Sequence, residues 1–403
     1  MNVARGVAIA RHVVIAALVV ATGCVHLPKR APLPEDHVEE AQVLGISRAR
    51  FWGDSPPPWE HEWLTMSPSQ TKERFPGVYG RTHTYLAISG GGENGAFAAG
   101  LLLGWTEAGD RPEFTTVTGV SAGALIAPFA FLGPEYDHVL KEVSAELTAD
   151  QVFEKRRTLR GLRSDAMAST EPLRGLIETY VDEEVMEKIA AAHREGRMLN
   201  IGTANLDSLR PVVWRIGAIA NSGHPRSLEL IRKILLASAS VPGAFPPVLI
   251  DVEVAEEQFD ELHVDGGTAS QVFLYPAGLD WDAFLAKLQV PGRPRVYVIR
   301  NSRLEPEYEQ VNNKLFPIAR RSLSSLIRTQ GIGDLYRIYL QTCRDGLDFN
   351  LAYIPSDFDE PSDGELDPDY MKKLFEMAFE QAKDGYDWEK MPPELKTAPI
   401  HCR

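Results

Sequence analysis

The sequence predicts an α/β fold, with a mostly parallel central sheet and helices on both faces. From Tyr85 onwards, short apolar runs typical of strands alternate with longer apolar runs typical of helices. Strands that alternate with helices pair in parallel and need cover on both faces. The chain has 403 residues, 44% of them hydrophobic, so it contains ample apolar material for such a core.

The predicted elements begin at residue 85. The run "TYLAIS" predicts a strand and "AFAAGLLLGWTEAG" a buried helix closed by Gly109. "FTTVT" predicts a second strand and "SAGALIAPFAFLG" a second helix. Six further strands are predicted at "MLNIGTANL", "RPVVWRIG", "PPVLIDV", "ELHVDGG", "RVYVIRN" and "LDFNLAYIP".

A last helix is predicted at "DPDYMKKLFEMAFEQAKDG" in an acidic C-terminal segment. Asp367 is a capping residue, Pro368 suits the first helical position, and Gly385 ends the helix. Its apolar residues fall on one face, which predicts that the helix docks on the domain: Met371, Leu374, Phe375, Phe379 and Ala382.

The N-terminus is typical of a secretory signal. Arg5 and Arg11 are followed by the uncharged run "HVVIAALVVATG", which ends at Cys24 and is short for a membrane span. The ending "ATGC" resembles the lipobox of bacterial lipoproteins, in which the cysteine is acylated. With Val25 next, the resemblance implies an outer-membrane lipoprotein of the cell envelope, anchored to the membrane through Cys24. An ordinary signal peptide or an uncleaved anchor is the alternative.

Four segments are therefore expected: a signal peptide at 1–23, a proline-rich tether at 24–80, the catalytic domain at 81–355 and the acidic segment at 356–403. Residues 24–80 hold eight prolines, which favours an extended tether. Three tryptophans in this segment predict that part of it packs onto the domain: Trp52, Trp59 and Trp63.

The net charge argues against two kinds of partner, and the cysteine content bears on disulfide formation. The net charge of -14 argues against a nucleic-acid partner and against non-specific adhesion to an anionic bilayer. Any membrane contact must therefore be local. Apart from Cys24, the chain has Cys343 and Cys402. We expect free thiols, with pairing in an oxidising periplasm as the alternative.

The stretch "SGGGENG" raises the question of a dinucleotide site. Gly90, Gly92 and Gly95 satisfy G-x-G-x-x-G. A dinucleotide fold also needs an acidic residue at the end of the second strand. Glu113 precedes that strand instead, so it lies at the wrong end of the sheet. A bound dinucleotide would therefore lack the acidic residue that holds its ribose hydroxyl, and no cofactor is expected.

The second strand ends in a nucleophile motif. Gly119, Ser121 and Gly123 form G-x-S-x-G between a strand and a helix, where a serine lies on a sharp turn with its hydroxyl exposed. A serine that attacks an ester creates an oxyanion, which needs backbone N–H donors. The triple glycine at 90–92 follows the neighbouring strand and offers such donors without side chains.

A serine nucleophile also needs a base. No histidine fits. His193 lies in a polar stretch expected to be exposed, and His224 lies in a predicted loop. His263 is expected to be a core residue on a strand, and His401 lies close to the chain end. Asp265 does fit, since it ends a predicted strand and is followed by Gly266 and Gly267, which allow a tight turn. A turn aspartate without catalytic function is the alternative for this tripeptide alone.

Together these motifs resemble the patatin-like phospholipase family. G-G-G-x-x-G, G-x-S-x-G and a distant D-G-G occur in order, and "ASASVPGAFPPV" at 237–248 is similar to the segment that the family carries between serine and aspartate. The resemblance covers Tyr85 to Tyr353 and implies Ser121 as nucleophile and Asp265 as base of a dyad without histidine. It implies an oxyanion hole at Gly90, Gly91 and Gly92.

One position departs from the family. Many members carry Arg or Lys in the glycine motif where this chain has Asn94. That change removes a positive charge near a substrate phosphate and leaves the backbone donors in place. It weakens the case for phospholipid specifically, while acyl-ester hydrolysis is unaffected.

The expected function is a lipase or phospholipase A-like hydrolysis of lipid acyl esters. Neither a metal nor a cofactor is expected, because no Cys/His cluster has ligand spacing. Two alternatives keep the fold: an acyltransferase that uses the same dyad, and a non-catalytic lipid-binding envelope lipoprotein. The expected partners are a lipid or phospholipid substrate and the membrane, without nucleic acid. The head group, the ester attacked and any protein partner are not predicted.

Overall fold

Nine strands of the described residues form one sheet in this computed structural model, which describes residues 30–145, 154–155, 168–362, 366–393 and 395. The predicted signal peptide, Cys24, His401 and Cys402 lie outside these residues. The strands are β1 Arg50–Trp52, β2 Thr84–Ile88, β3 Thr116–Val120, β4 Glu154–Lys155, β5 Ala168–Ser169, β6 Met198–Asn205, β7 Arg210–Arg215, β8 Val248–Val254, β9 Glu257–Asp265, β10 Arg295–Arg300 and β11 Asp348–Tyr353.

The helices lie between and after these strands. They are α1 Glu60–Thr65, α2 Pro68–Arg74, α3 Gly95–Ala108, α4 Ala122–Leu132, α5 Asp137–Ala145, α6 Glu171–Tyr180, α7 Glu183–Arg194, α8 Ile216–Ala220, α9 Ser227–Ser238, α10 Trp281–Lys287, α11 Leu315–Arg344 and α12 Pro368–Lys383. Single 3₁₀ turns occur at Glu35–His37, Gly92–Asn94, Pro134–Tyr136 and Gly266–Thr268.

The centre of the sheet is parallel, as predicted. Strands β11, β10, β2, β3 and β6 are neighbours in that order and all run the same way. On the far side, β7 pairs antiparallel with β6, and β1 with β7. A hairpin of β8 and β9 joins antiparallel to the end of β6. Strands β4 and β5 form a separate two-stranded ribbon.

The parallel centre of the sheet contributes to two cores, one on each face. In β2, Leu86 and Ile88 belong to one core, and Tyr85 and Ala87 to the other, because side chains alternate along a strand. Helices α3, α4 and α12 supply the first core, and α10 with the second half of α11 supplies the second. The sheet thus carries helices on both faces, which confirms the predicted fold class.

The C-terminal helix α12 packs along α3. Asp367 caps it by accepting the amide protons of Asp369 and Tyr370. Its contact with α3 is close because a Cβ at Gly100 would lie only 2.2 Å from the Phe375 carbonyl oxygen. This helix therefore belongs to the first core.

Residues 30–80 differ from the extended tether that their prolines predict. Strand β1 adds an edge to the sheet, and Trp63 is buried in the second core. Arg30 forms ion pairs with Asp207 and Asp260, both at 2.7 Å. The proline-rich composition was misleading because short helices and one edge strand fit between its prolines.

Two further observations concern the envelope predictions. Among the residues described, no helix is long and apolar enough to span a bilayer. Cys343 is disulfide-bonded, so the expectation of a free thiol is wrong at this residue.

Candidate active site

Ser121 lies on a sharp turn between β3 and α4. Its backbone has φ 56° and ψ −126°, a conformation that side chains rarely adopt. The flanking glycines permit the turn: a Cβ at Gly119 would lie 2.4 Å from the Gly123 carbonyl oxygen, and one at Gly123 would lie 2.4 Å from that of Ile88. The turn therefore presses against the end of β2, and both positions require glycine.

Asp265 reaches the same place from the opposite direction. Strand β3 ends with Val120 opposite Gly202 of β6, and β9 ends with Asp265 opposite Thr203. The two strands thus abut end to end along one edge of β6. The expectation that Asp265 ends a strand is met, but this strand is antiparallel to β6.

One short segment holds both residues. The Ser121 amide donates to Ser238 Oγ at 3.1 Å, and that hydroxyl donates to the Gly202 carbonyl at 2.7 Å. Two residues on, the Ser240 carbonyl accepts the Asp265 amide at 2.9 Å. The segment "ASAS" therefore sets the backbone positions of the nucleophile and the base relative to each other.

The carboxyl group of Asp265 has one oxygen engaged and one available. Oδ1 accepts the Gly267 amide at 2.7 Å. Oδ2 is buried and has no hydrogen bond of ordinary geometry within the described part of the chain. Burial raises the pKa of Asp265 to about 6, against the hydrogen-bonding influence of the Ser121 hydroxyl and the Gly267 amide. The free oxygen thus belongs to a carboxyl group that shares the site with Ser121.

The triple glycine supplies two available donors rather than three. The Gly90 amide donates to the Gln271 carbonyl at 3.2 Å, so the expectation that it faces an oxyanion is wrong. The amides of Gly91 and Gly92 are on an exposed backbone and find no acceptor among the residues described. Gly90 instead provides space, since a Cβ there would lie 3.0 Å from Ser121 Cβ.

The glycine turn is held by Asn301, a residue that sequence reasoning missed. Its amide donates to Ser89 Oγ and its Nδ2 to the Ser89 carbonyl, both at 2.9 Å. Its Oδ1 accepts the Ala98 amide at 3.1 Å. The signal for Asn301 in the sequence is only a polar residue directly after the strand "RVYVIR".

An apolar cavity opens beside the nucleophile. Gly92, Gly95 and Ala122 form its wall next to the site, and the rest of its lining is almost entirely aliphatic and aromatic. Five residues illustrate this lining: Leu125, Ile126, Phe129, Leu173 and Ile177. Such a cavity accommodates a hydrocarbon chain.

A larger polar cavity lies on the other side of the glycine turn, lined in part by Glu93 and Asn94. Asn94 accepts the Tyr370 hydroxyl proton at 2.7 Å, which ties it to α12. Arg300 supplies cationic character: its side chain is buried, Nε and Nη1 have no hydrogen-bond partner within the described ranges, and burial lowers its pKa to about 10. The glycine turn thus separates an apolar cavity from a polar one whose lining carries both acidic and basic side chains.

The histidines have other surroundings. His263 is buried on β9 between Thr203 Oγ1 at 2.9 Å and Glu261 Oε2 at 3.0 Å, as expected for a core residue. His193 is buried against Gly217, so its expected exposure is wrong, and burial lowers its pKa to about 4. In the described ranges, no cluster of His, Cys, Asp or Glu could hold a metal ion.

Comparisons with known proteins identify the domain. The family model "Patatin-like phospholipase" matches residues 86–277. The structure of VipD from Legionella pneumophila is similar at 13% identity and a TM-score of 0.35, over 76% of this chain and 67% of that one. Human GIVD cytosolic phospholipase A2 is similar at 13% identity and a TM-score of 0.29, over 70% and 51%. No curated protein sequence matches the chain. Residues 86–277 therefore form a patatin-like phospholipase domain.

Proposed function

We propose that the protein is a lipase or phospholipase A-like hydrolase that cleaves fatty-acyl esters of lipids through a Ser121–Asp265 dyad. The observation that carries the proposal is the free, buried Oδ2 of Asp265 in the site of a strained serine, beside two available amides. The family match supports a lipid acyl hydrolase in general terms.

In the first step, Asp265 accepts the hydroxyl proton of Ser121 as its oxygen attacks the ester carbonyl carbon. The carbonyl π pair moves to oxygen, and the amides of Gly91 and Gly92 stabilise the resulting oxyanion. Collapse of this intermediate breaks the bond to the alcohol, which leaves with the proton from Asp265, and Ser121 carries the acyl group.

In the second step, the ionised Asp265 accepts a proton from water as it attacks the acyl-serine. The oxyanion forms again at the same amides. Its collapse releases the fatty acid and returns the proton to Ser121. The apolar cavity beside Ala122 is suited to the acyl chain throughout, because its lining offers hydrocarbon contacts in place of water.

Two variants test the dyad. Ser121→Ala removes the nucleophile and Asp265→Asn removes the base, and we expect each to lower kcat for a lipid ester by about 10⁴-fold or more. Ser144→Ala is a control, since Ser144 lines the apolar cavity beside the site and the proposed mechanism gives it no role. Full turnover in either dyad variant would contradict the proposal.

Product analysis separates the alternatives. A hydrolase releases fatty acid in water alone, whereas an acyltransferase forms a new ester when an alcohol acceptor is added. A lipid-binding protein without activity would leave Ser121 unlabelled by a fluorophosphonate probe. We expect labelling that is lost in Ser121→Ala and fatty acid as the main product.

We also propose that the enzyme is an envelope lipoprotein anchored through acylated Cys24. The basic start, the uncharged run and "ATGC" support this location. Growth with a labelled fatty acid should label the wild-type chain and leave Cys24→Ser unlabelled. Equal labelling of both chains would contradict the anchor.

A further inference from the structure

The first half of α11 has an apolar face that nothing in the described chain covers. Leu315 and Leu326 are 77% and 68% exposed, and Ile318 and Leu323 are 45% and 49% exposed. These four residues, the outer face, lie on one side of the helix at a period of 3.6 residues. The second half of α11 is anchored, because Leu335, Ile338 and Tyr339 belong to the second core.

The same stretch is basic although the whole chain is acidic. Residues 314–333 contain no acidic residue and four basic ones, Lys314, Arg320, Arg321 and Arg328. The chain as a whole has a net charge of -14. Glu309 pairs with Arg320 at 2.6 Å and with Arg321 at 3.3 Å, which leaves the segment with an excess of positive charge.

The opposite side of this helix borders the candidate active site. Arg321, Ser324 and Arg328 line the polar cavity. Glu93 and Asn94, on another wall of that cavity, directly follow the glycines that supply the free amides. The outer face lies on the side of the helix turned away from this cavity. A lipid surface bound to the outer face would therefore be held close to the candidate active site.

We propose that the first half of α11 is an interfacial docking helix that lays its outer face on a lipid bilayer. The inference rests on the proposed function only in that the bilayer holds the substrate. Burying exposed leucines among acyl chains is favourable, and flanking basic residues are attracted to anionic head groups. A second copy of the chain is a poorer occupant, because its own basic segment would repel this one.

Co-sedimentation of the full chain with vesicles tests the leucines. The background chain carries Ser121→Ala, so that the lipid stays intact, and Cys24→Ser, so that acylation at Cys24 is absent. Leu323→Ser with Leu326→Ser should bind phosphatidylcholine vesicles about tenfold more weakly. A matched control, Leu209→Ser with Leu340→Ser, removes two leucines that are 83% and 57% exposed outside the outer face. We expect the control to bind like the background chain.

The charges are tested separately. Lys314→Glu with Arg320→Glu should weaken binding to vesicles that contain phosphatidylglycerol more than binding to pure phosphatidylcholine. Unchanged binding of the leucine variant would overturn the proposal. So would a concentration-dependent dimer, formed without lipid and lost in that variant, since a second copy would then cover the face.

A soluble short-chain ester keeps the two proposals apart. With Ser121 intact, the leucine variant should hydrolyse this ester like wild type and lose only activity on vesicles. A chain that binds vesicles but hydrolyses no ester would overturn the proposed function and leave the docking helix standing.

Discussion

At Asp265, burial and hydrogen bonding act in opposite directions on one carboxyl group. Burial raises its pKa, and the Ser121 hydroxyl and the Gly267 amide lower it, with a net value of about 6. A carboxylate with this pKa is ionised at neutral pH and is a stronger base than an exposed aspartate. Its environment therefore favours proton transfer from a serine without an imidazole.

The pH dependence of activity follows from this pKa. Only the ionised carboxylate accepts a proton, so we expect kcat/KM on a soluble ester to rise about tenfold per pH unit below 6 and to level off above it. A midpoint near the ordinary aspartate value of 3.8 would contradict the predicted environment.

The same pKa predicts a stability change. Since the folded state holds this proton more tightly than the unfolded state, the contribution of Asp265 to stability falls as pH rises from 3.8 to about 6. Asp265→Asn should therefore raise the free energy of unfolding by about 3 kcal/mol above pH 6 and change it little below pH 3.8. Urea titrations at pH 3.5 and pH 8 measure the difference, and an equal effect at both would contradict it.

Sequence reasoning found the residues with local signals and missed those with distant partners. Ser121 and Asp265 stand in motifs whose strands and glycines are readable. Asn301 has no such motif, because its hydrogen bonds reach Ser89 and Ala98 far back in the chain. The occupied amide of Gly90 was missed for the same reason, since its acceptor is Gln271.

At the level of elements, the contact between α3 and α12 depends on two glycines. A Cβ at Gly100 would lie 2.2 Å from the Phe375 carbonyl oxygen, and one at Gly104 would lie 2.1 Å from that of Phe379. Both contacts are with backbone, which cannot yield as a side chain can. The docking of α12 was predictable from its apolar period, but the closeness of its approach was not.

A pair of glycine substitutions separates packing from helix propensity. Alanine favours a helix over glycine by about 1 kcal/mol. At Gly333 of α11 nothing lies within 4 Å of an added Cβ, so Gly333→Ala should be neutral or stabilising. At Gly100 the clash outweighs propensity, and Gly100→Ala should destabilise by about 1–3 kcal/mol. Thermal unfolding of both variants measures this, and equal shifts would contradict it.

Helix α11 and strand β9 show where the sequence misleads about elements. The first half of α11 is largely exposed, whereas the second half buries one of its sides, so no single apolar period runs through its 30 residues. Strand β9 was predicted as a strand, but its direction depends on the hairpin with β8. Direction is set by long-range pairing, which apolar alternation does not encode.

On the scale of the whole molecule, two cavities of different character meet at the glycine turn. The apolar one is lined by Ala122 and Ile177 and the polar one by Asn94 and Arg300. An ester at Ser121 would thus have its acyl chain and its alcohol part in different surroundings. The sequence predicted the turn but neither cavity, since their walls come from helices distant in the chain.

The apolar cavity should limit acyl-chain length. Ile177 is buried in its wall. Ile177→Trp adds volume there, so we expect the preferred acyl chain of the substrate to shorten while a butyryl ester is still cleaved at the wild-type rate. A series of p-nitrophenyl esters of increasing length measures the preference. An unchanged series would show that the acyl chain binds elsewhere.

The end-to-end arrangement of β3 and β9 along β6 also has a consequence for folding. The turn that carries Ser121 is formed by residues close to it in the chain. Asp265 reaches the site only when the hairpin of β8 and β9, much later in the chain, pairs with β6. Until then the serine is an ordinary alcohol without a base. Under the proposed mechanism, a chain whose β8–β9 hairpin has not yet paired with β6 would lack its base and would be inactive on lipid esters.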